Sequence, residues 1–416
     1  MKARRYIFAV VSVGLLFLLS LGLIQGETPT APPVITSVDS LLQKEIAQEN
    51  ISGAVVQIKQ SGAILHRKAY GYAHLYDYGM VKLDQPEPMI TGHLFDLASL
   101  TKVFATTFGV MLLVDDGKVL LDKPVKTYLP KFSGPHKDSV TVRHLLTHSS
   151  GLYRWQPLYY HGRNSKETLQ YICDLPLKYP VGEARHYSDL GFMLLGYLIE
   201  NQSGQSLDGF LKKRLYNPLG LKHTTFMPER SGQEQFAATS HGNPFEHHMV
   251  ADDNFGYYCS EDVEDFTGWR HYTLIGEVND GNSYYANKGM AGHAGLFSTV
   301  DDLQALINLL LNKGRFNGEQ LIREEIIDLF LTKDEFGNGL GWGMSPEVIK
   351  FRNPPEGSFG HTGFTGTNVL VIPEYNFSLI LLTNRQNVGL NSDGYYYNLN
   401  PLRRQIAKIA FSYVKE

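Results

Sequence analysis

The chain has 416 residues, a length that suits two lobes or one large elaborated fold. Hydrophobic content of 43% and aromatic content of 12% can fill a sizeable core, and 19% charged residues without a long polar run mark a mostly folded chain. A net charge of −4, with no Lys/Arg cluster after the first five residues, argues against nucleic acid as a partner.

The N-terminus opens with MKARR, followed by the apolar stretch YIFAVVSVGLLFLLSLGLI (6–24) and a small-x-small site at Ser20-Leu21-Gly22. Residues 1–26 therefore read as a signal peptide, or as a membrane anchor if uncleaved, since the apolar stretch is just long enough to span a bilayer. No cysteine stands near position 26, which excludes a lipoprotein. Either reading places the body outside the cytoplasm, in the periplasm or cell envelope, secreted or held at the cytoplasmic membrane. Residues 27–36, with TPTAPP, form a Pro-rich linker.

From residue 38, VDSLLQKEIAQEN carries apolar residues at helical spacing. GAVVQIK (53–59), a Ser61-Gly62 turn and AILHRKAYGYA (63–73) predict a β-hairpin. A helix is predicted from about Ser99 to Asp115, with Gly117 as its C-cap. Between 119 and 284 strand signals thin out, and 140–152, 165–175 and 188–204 read as helices. Strand-like runs return at 294–299, 339–344, 367–374 and 377–385, with helices at 301–314 and 400–411. The pattern predicts an α/β lobe (37–118 and 285–416) whose sheet joins early and late strands, with a mainly helical lobe (119–284) inserted. Cys173 and Cys259 sit in no C-x-x-C and are read as separate, partly buried thiols.

The candidate chemistry starts at Ser99-Leu100-Thr101-Lys102. Ser-x-x-Lys is a short pattern, and Ser412-Tyr-Val-Lys415 repeats it in a solvated C-terminal helix. Context separates the two copies. VFATTFGVMLLV (103–114) is apolar on nearly every face, so its helix is enclosed, and lysine is rarely buried without a partner or a task. Residues three apart share a helix face, which puts the Lys102 amine beside the Ser99 hydroxyl. Free N–H groups at the helix start would complete an activated nucleophile. The competing reading makes Ser99 an N-cap and Lys102 a snorkelling surface residue.

Two further stretches break the tie. Tyr187 and Asp189 in RHYSDLGFMLLG (185–196) precede another all-apolar helix; a tyrosine beside a lysine can relay a proton, although a packed Tyr and a capping Asp also fit. In FGHTGFTGTNVLVIPE (359–374), His361-Thr362-Gly363 leads into an edge-accessible strand, where Gly363 permits close backbone approach and the Phe364 N–H can point into a site; a Gly-rich turn is the alternative.

Together S-L-T-K (99–102), Y-S-D (187–189) and H-T-G (361–363), with VTVRHLLTHSSGL (140–152), LYNPLGLKHTTF (215–226) and MAGHAGLFSTVDDL (290–303), resemble the serine penicillin-recognising superfamily of class C β-lactamases, D-alanyl-D-alanine carboxypeptidases and related esterases. The likeness spans roughly residues 37–412 and looks nearest to the low-molecular-mass branch of penicillin-binding protein 4B. It implies an α/β (α+β) β-lactamase/transpeptidase-like fold with an antiparallel sheet flanked by helices, and no cofactor. Ser99 would be the acylated nucleophile, Lys102 its base partner and Tyr187 the proton relay, with the N–H groups of Ser99 and Phe364 as oxyanion hole. Thr362 and Thr365 would line the strand beside the acyl group, and His361 would help receive a substrate carboxylate. Small peptides, β-lactams or esters, and peptidoglycan stem peptides, would be the substrates.

Two departures stand out. Asp189 replaces the family's usual Asn and, if ionised, only accepts hydrogen bonds; it would hold Lys102 charged and shift base duty to Tyr187. His361 stands where β-lactamases carry Lys, so carboxylate binding is expected to be weaker and to strengthen below about pH 6.5. A D-Ala-D-Ala carboxypeptidase ranks first, a broad esterase second and a β-lactamase third. The non-enzyme rival is a catalytically silent sensor on the same fold. No G-x-S-x-G supports an α/β-hydrolase, and no H-E-x-x-H supports a metal hydrolase, although HGNPFEHH (241–248) and His293 are histidine-rich surroundings.

Overall fold

The computed structural model describes residues 33–228 and 235–414. Helix α1 (Pro33–Ala47) begins inside the expected linker, and the predicted signal or anchor segment lies outside the described residues. Strands β1 (Gly53–Gln60), β2 (Ala63–Asp77) and β3 (Val81–Pro88) follow as a meander, then the short β4 (Phe95–Asp96). Ser61 and Gly62 both take positive φ (48° and 88°), as a two-residue hairpin turn of matching twist requires.

The helix predicted from Ser99 is present, but its first stretch, Lys102–Thr107, winds as a π-helix before α2 (Phe108–Asp115). Residues 119–284 carry α3 (Val142–Leu146), α4 (Ser165–Asp174), α5 (Asp189–Ser203), α6 (Leu207–Leu211), β5 (Thr225–Phe226) and α7 (Pro244–Ala251). The chain then gives β6 (Leu296–Ser298), α8 (Val300–Leu311), β7 (Arg315–Phe316), β8 (Glu319–Gln320), α9 (Glu324–Phe330) and α10 (Pro346–Ile349). It closes with β9 (Phe359–Thr362), β10 (Asn368–Ile372), β11 (Phe377–Thr383) and α11 (Asn400–Ser412).

Six strands form one antiparallel sheet in the order β3-β2-β1-β11-β10-β9, so early and late strands meet at β1–β11, where Val55 faces Leu382. The central strands are buried on both faces, and alternation sorts their side chains into two cores. Val55, Val369, Ile380 and Leu382 join the core around α2 and α5, while Ala54, Val56, Leu370 and Leu381 join the core under α1 and α11. The antiparallel sheet flanked by helices is the fold expected.

Three expectations change. The 294–299 run supplies β6, but to a separate three-stranded sheet with β4 and β5. The 339–344 run forms no strand, only a bridge from Gly343 to Gly360; Gly341 turns left-handed (φ 81°) where a Cβ would strike Thr107, and Trp342 fills the core against Phe104 and Phe359. The 140–152 helix stops at Leu146, because the chain turns through His148 at φ 59°. Cys173 and Cys259 are separate thiols, whose burial pushes them up to about 11 and about 12.

Candidate active site

The chain before Ser99 is locked in place. Ala98 holds a left-handed φ of 46°, a conformation that costs an L-residue roughly 1 kcal/mol or more and persists only under outside support. Asp96 gives that support: its buried carboxylate accepts the Ala98 N–H at 2.8 Å and the Asn279 N–H at 2.6 Å. Burial pushes the Asp96 carboxyl up to about 6 against these hydrogen bonds. Thr365 donates to the Asp96 carbonyl (2.7 Å) and Thr367 to the Leu97 carbonyl (3.1 Å), tying the same segment to the turn after β9.

Lys102 is wholly buried one turn past Ser99, and the wide π-turn starts at it. Its ammonium donates to Ser99 Oγ (3.0 Å) and to the His293 carbonyl (3.1 Å), and forms an ion pair with Asp189 Oδ1 at 2.7 Å. Burial alone would push Lys102 down, but the Asp189 carboxylate and the Tyr187 oxygen outweigh it and hold the amine above its ordinary value. Lys102 is therefore a cation in the resting site. Asp189 takes this position because it opens α5 as the first helical residue, behind the Ser188 N-cap.

The Tyr187 hydroxyl lies 3.0 Å from Ser99 Oγ, and the Lys102 ammonium sits 5.1 Å from the centre of its ring. His148 fixes the tyrosine from the other side: its ring packs 4.4 Å from that of Tyr187, and its Nδ1 accepts the Ser188 N–H at 3.0 Å. Burial, then Arg185 and Lys102, push His148 well below the usual histidine range, so it packs as a neutral ring.

Gly363 follows β9, and its backbone passes the Ser99 loop so closely that a Cβ would lie 2.0 Å from Thr367 Oγ1 and 2.5 Å from the Leu97 carbonyl. Two arginines hold the next turn from behind. Arg403 of α11 donates to the Gly363 and Thr367 carbonyls (3.2 and 3.0 Å), and Arg385 donates to the Phe364 carbonyl (2.7 Å). The Ser99 and Phe364 N–H groups make no hydrogen bond to a described protein group. Thr362 is half-buried at the end of the edge strand.

Two sequence expectations are corrected. Thr365 does not line the cleft: it is 1% exposed, with its hydroxyl spent on Asp96. His361 is buried, with Nδ1 2.9 Å from the Thr362 carbonyl, and burial followed by the Lys102 charge pushes it down to about 3. In the resting site it is therefore neutral at pH 6.5, where the sequence reading expected it to begin to carry charge.

The cleft over Ser99 encloses about 160 Å³, walled by Trp155, Tyr257, Phe245, Met249 and Phe364. At its far side His293 lies 2.9 Å from Asp280; burial opposes the Asp280 charge, but His293 outweighs it and holds the carboxylate low. Burial, then repulsion from Asp280, pushes the neighbouring Glu246 up to about 8, so Glu246 carries its proton at neutral pH.

Sequence reasoning brought Ser99, Lys102, Tyr187 and Asp189 together correctly in space. It missed Asp96, His148, Asp280 and Arg403. Of these, His148 lay inside the quoted VTVRHLLTHSSGL, and Asp96 lay three residues before Ser99; Arg403 carried no local signal.

Comparison with known proteins identifies the family. The Beta-lactamase family model matches residues 38–399, and the chain belongs to that family. A Bacillus subtilis (strain 168) protein named "N-acetylmuramyl-L-alanine amidase" is 36% identical, over 85% of this chain and 81% of its own. An Escherichia coli (strain K12) protein named "Putative D-alanyl-D-alanine carboxypeptidase" is 33% identical, over 82% and 80%. Among solved structures, a penicillin-binding protein homolog from Caulobacter crescentus superposes with a TM-score of 0.66 at 19% identity, covering 92% of this chain and 98% of that one, which shows the shared fold.

Proposed function

We propose that the protein is a serine acyl-transfer hydrolase of peptidoglycan-derived peptides, of D-alanyl-D-alanine carboxypeptidase type. The observation that carries this reading is the triangle of Ser99 Oγ with the Lys102 ammonium and the Tyr187 hydroxyl, each 3.0 Å away.

Ser99 Oγ attacks the scissile carbonyl carbon while its proton passes to the Tyr187 oxygen. Tyr187 accepts it as the phenolate, with the Lys102 ammonium 5.1 Å from its ring centre. The carbonyl oxygen takes up the negative charge and meets the N–H groups of Ser99 and Phe364; losing one such donor typically costs about 10²–10³ in rate. The C–N bond breaks as Tyr187 returns the proton to the leaving amine. Water then attacks the acyl-enzyme by the same route, releasing the acid and restoring Ser99. Asp189 keeps Lys102 charged, so Lys102 acts as a fixed charge and Tyr187 as the base. Thr362, on the edge strand, accompanies the acyl group. His361, being neutral, acts as a hydrogen-bonding wall rather than a charge for the substrate carboxylate.

A second reading is supported by the Bacillus relative: the scissile bond is the amide between an N-acetylmuramyl group and L-alanine. Both bonds use the same acyl-enzyme chemistry. The N-terminal sequence supports an extracytoplasmic location for either, with the segment cleaved or kept as an anchor.

Incubation with a labelled penicillin should give a covalent adduct that Ser99→Ala abolishes. Labelling that survives the substitution, or an unlabelled protein that also leaves esters untouched, would sink the nucleophile assignment. Release of D-alanine from a D-Ala-D-Ala peptide, release of a peptide from a muramyl peptide, and hydrolysis of a short-chain aryl ester separate carboxypeptidase, amidase and esterase.

A further inference from the structure

A second concavity, of about 700 Å³, adjoins the catalytic cleft, and Phe245 and Phe364 line both. Its size is that of an ordinary ligand site. The groove shows solvent two aromatic side chains, Phe364 (37% exposed) and Tyr395 (46% exposed). They are backed by packed rings: Phe245 lies 4.9 Å from Phe364 and 5.9 Å from Tyr396, and Phe255 lies 4.6 Å from Tyr395. Large aromatics held at the surface on a rigid backing are unusual unless something covers them.

The polar groups narrow what that is. The charged side chains lining the groove are engaged within the protein: Arg385 donates to the carbonyls of Phe364 and Tyr397, and Glu49 accepts from Tyr76 and Lys82. Of the amides, Asn50 donates to Glu45, and two others are open. Asn391 Oδ1 accepts the N–H groups of Asp393 and Tyr395, and Asn398 Oδ1 accepts that of Asn400, which leaves both NH₂ groups without a partner among the described residues. A cationic peptide would ask for a free carboxylate and an anionic one for a free cation. Aromatic faces with neutral amide donors suit the C–H face and the hydroxyl and acetamido oxygens of an uncharged sugar ring.

We infer that this groove is a saccharide subsite that seats an N-acylated amino-sugar ring of the substrate against Phe364 and Tyr395. The inference rests on the reading of the substrate as peptidoglycan-derived. The placement is informative because Phe364 contributes its N–H to the Ser99 side and its ring to the groove. A sugar stacked on that ring sets the register of the acyl chain that reaches Ser99.

The test titrates N,N′-diacetylchitobiose into the wild-type protein, Tyr395→Ala and Tyr395→Trp, followed by saturation-transfer NMR and calorimetry. The wild type should bind, Tyr395→Ala should bind at least tenfold more weakly with an unchanged near-UV circular dichroism spectrum, and Tyr395→Trp should retain binding. Absence of binding to the wild type, or equal binding by Tyr395→Ala, overturns the subsite. In a second arm, kcat/KM for a muramyl peptide is divided by that for the same peptide without sugar. This ratio should exceed ten in the wild type and fall towards one in Tyr395→Ala; a wild-type ratio near one also overturns the subsite. Saccharide binding with neither peptide turned over would leave the subsite standing and remove the peptidoglycan reading of the reaction. Turnover of both peptides without saccharide binding would do the reverse.

Discussion

The Lys102 ammonium lies 2.7 Å from Asp189 Oδ1, and in the proposed reaction this pair decides which group takes the serine proton. An amine held in the charged form cannot act as a base, so that reaction assigns the duty to Tyr187, the other group at 3.0 Å from Ser99 Oγ. Replacing Asp189 by Asn removes the counter-charge while burial continues to disfavour the ammonium. The Lys102 amine should then lose its proton at lower pH, and the alkaline limb of the kcat/KM profile should move to lower pH. An unmoved limb would show that Asp189 does not set the charge of Lys102.

The same pair bears on stability. Asp189→Ala leaves a fully buried ammonium without its carboxylate, at a cost on the order of 3 kcal/mol in urea unfolding at pH 7. Lys102 is held above its ordinary value when folded, so its contribution is intact below about pH 10.4 and fades only as pH rises further. The wild-type contribution should therefore be constant from pH 6 to 9, whereas the variant, whose unpaired amine gives up its proton at lower pH, regains stability as pH rises, so the difference between them should narrow towards pH 9.

His361 predicts a flat binding profile. Since burial keeps it near 3, substrate affinity should not rise between pH 8 and 5.5 on its account. Stability behaves differently: an unfolded histidine takes up its proton near pH 6.5 and the folded one does not. The contribution is full above about 6.5 and is lost progressively as pH falls towards 3. His361→Asn should lose less stability than the wild type over that interval. Comparing the two proteins isolates the histidine, because Asp96 and Glu246 titrate in both.

Gly363→Ala tests the close crossing of β9 and the Ser99 loop. With a Cβ 2.0 Å from Thr367 Oγ1 and 2.5 Å from the Leu97 carbonyl, the turn must move, and the Phe364 N–H moves with it. The expected result is a fall of about 10²–10³ in kcat, the usual cost of one oxyanion donor. Unchanged kcat would separate Phe364 from the reaction.

Thr365→Val distinguishes a structural tie from a substrate contact. Loss of the hydrogen bond to Asp96 should cost about 1 kcal/mol in stability and lower kcat through the displaced Ser99 loop, with KM little changed. A raised KM at constant kcat and stability would restore the sequence-based role for Thr365.

What was legible in the sequence was whatever shows locally. The hairpin around Ser61-Gly62 and the all-apolar helix behind Lys102 carry their own periodicity, and both are where the pattern placed them. Lys102 stood out because a charge in an apolar helix conflicts with its surroundings. Roles that depend on facing were not legible. Thr365 and His361 sit in a motif that faces a cleft, but the backbone turns their side chains inward, to Asp96 and into the protein. The 339–344 run has strand-like composition, yet its glycines serve close approach, Gly341 to Thr107, Gly339 to the Phe330 carbonyl and Gly343 to Val348, which only the packed fold reveals. Arg403 supports Gly363 from the far end of the chain, and no spacing rule links the two.

The β1–β11 pairing has a consequence for how the molecule comes into being. Strand β1 is complete early in synthesis, but Ala54 through Gln60 must wait for Thr383 through Phe377, which emerge far later. Until then the β1–β3 meander presents an open apolar edge, the kind of surface that slows folding and invites aggregation or a chaperone. Arg403 emerges later still, so the turn that carries Phe364 gains its support only after the strands around it have been made. A growing chain thus carries Ser99 long before it owns a cleft, and reactivity arrives as the final product of folding.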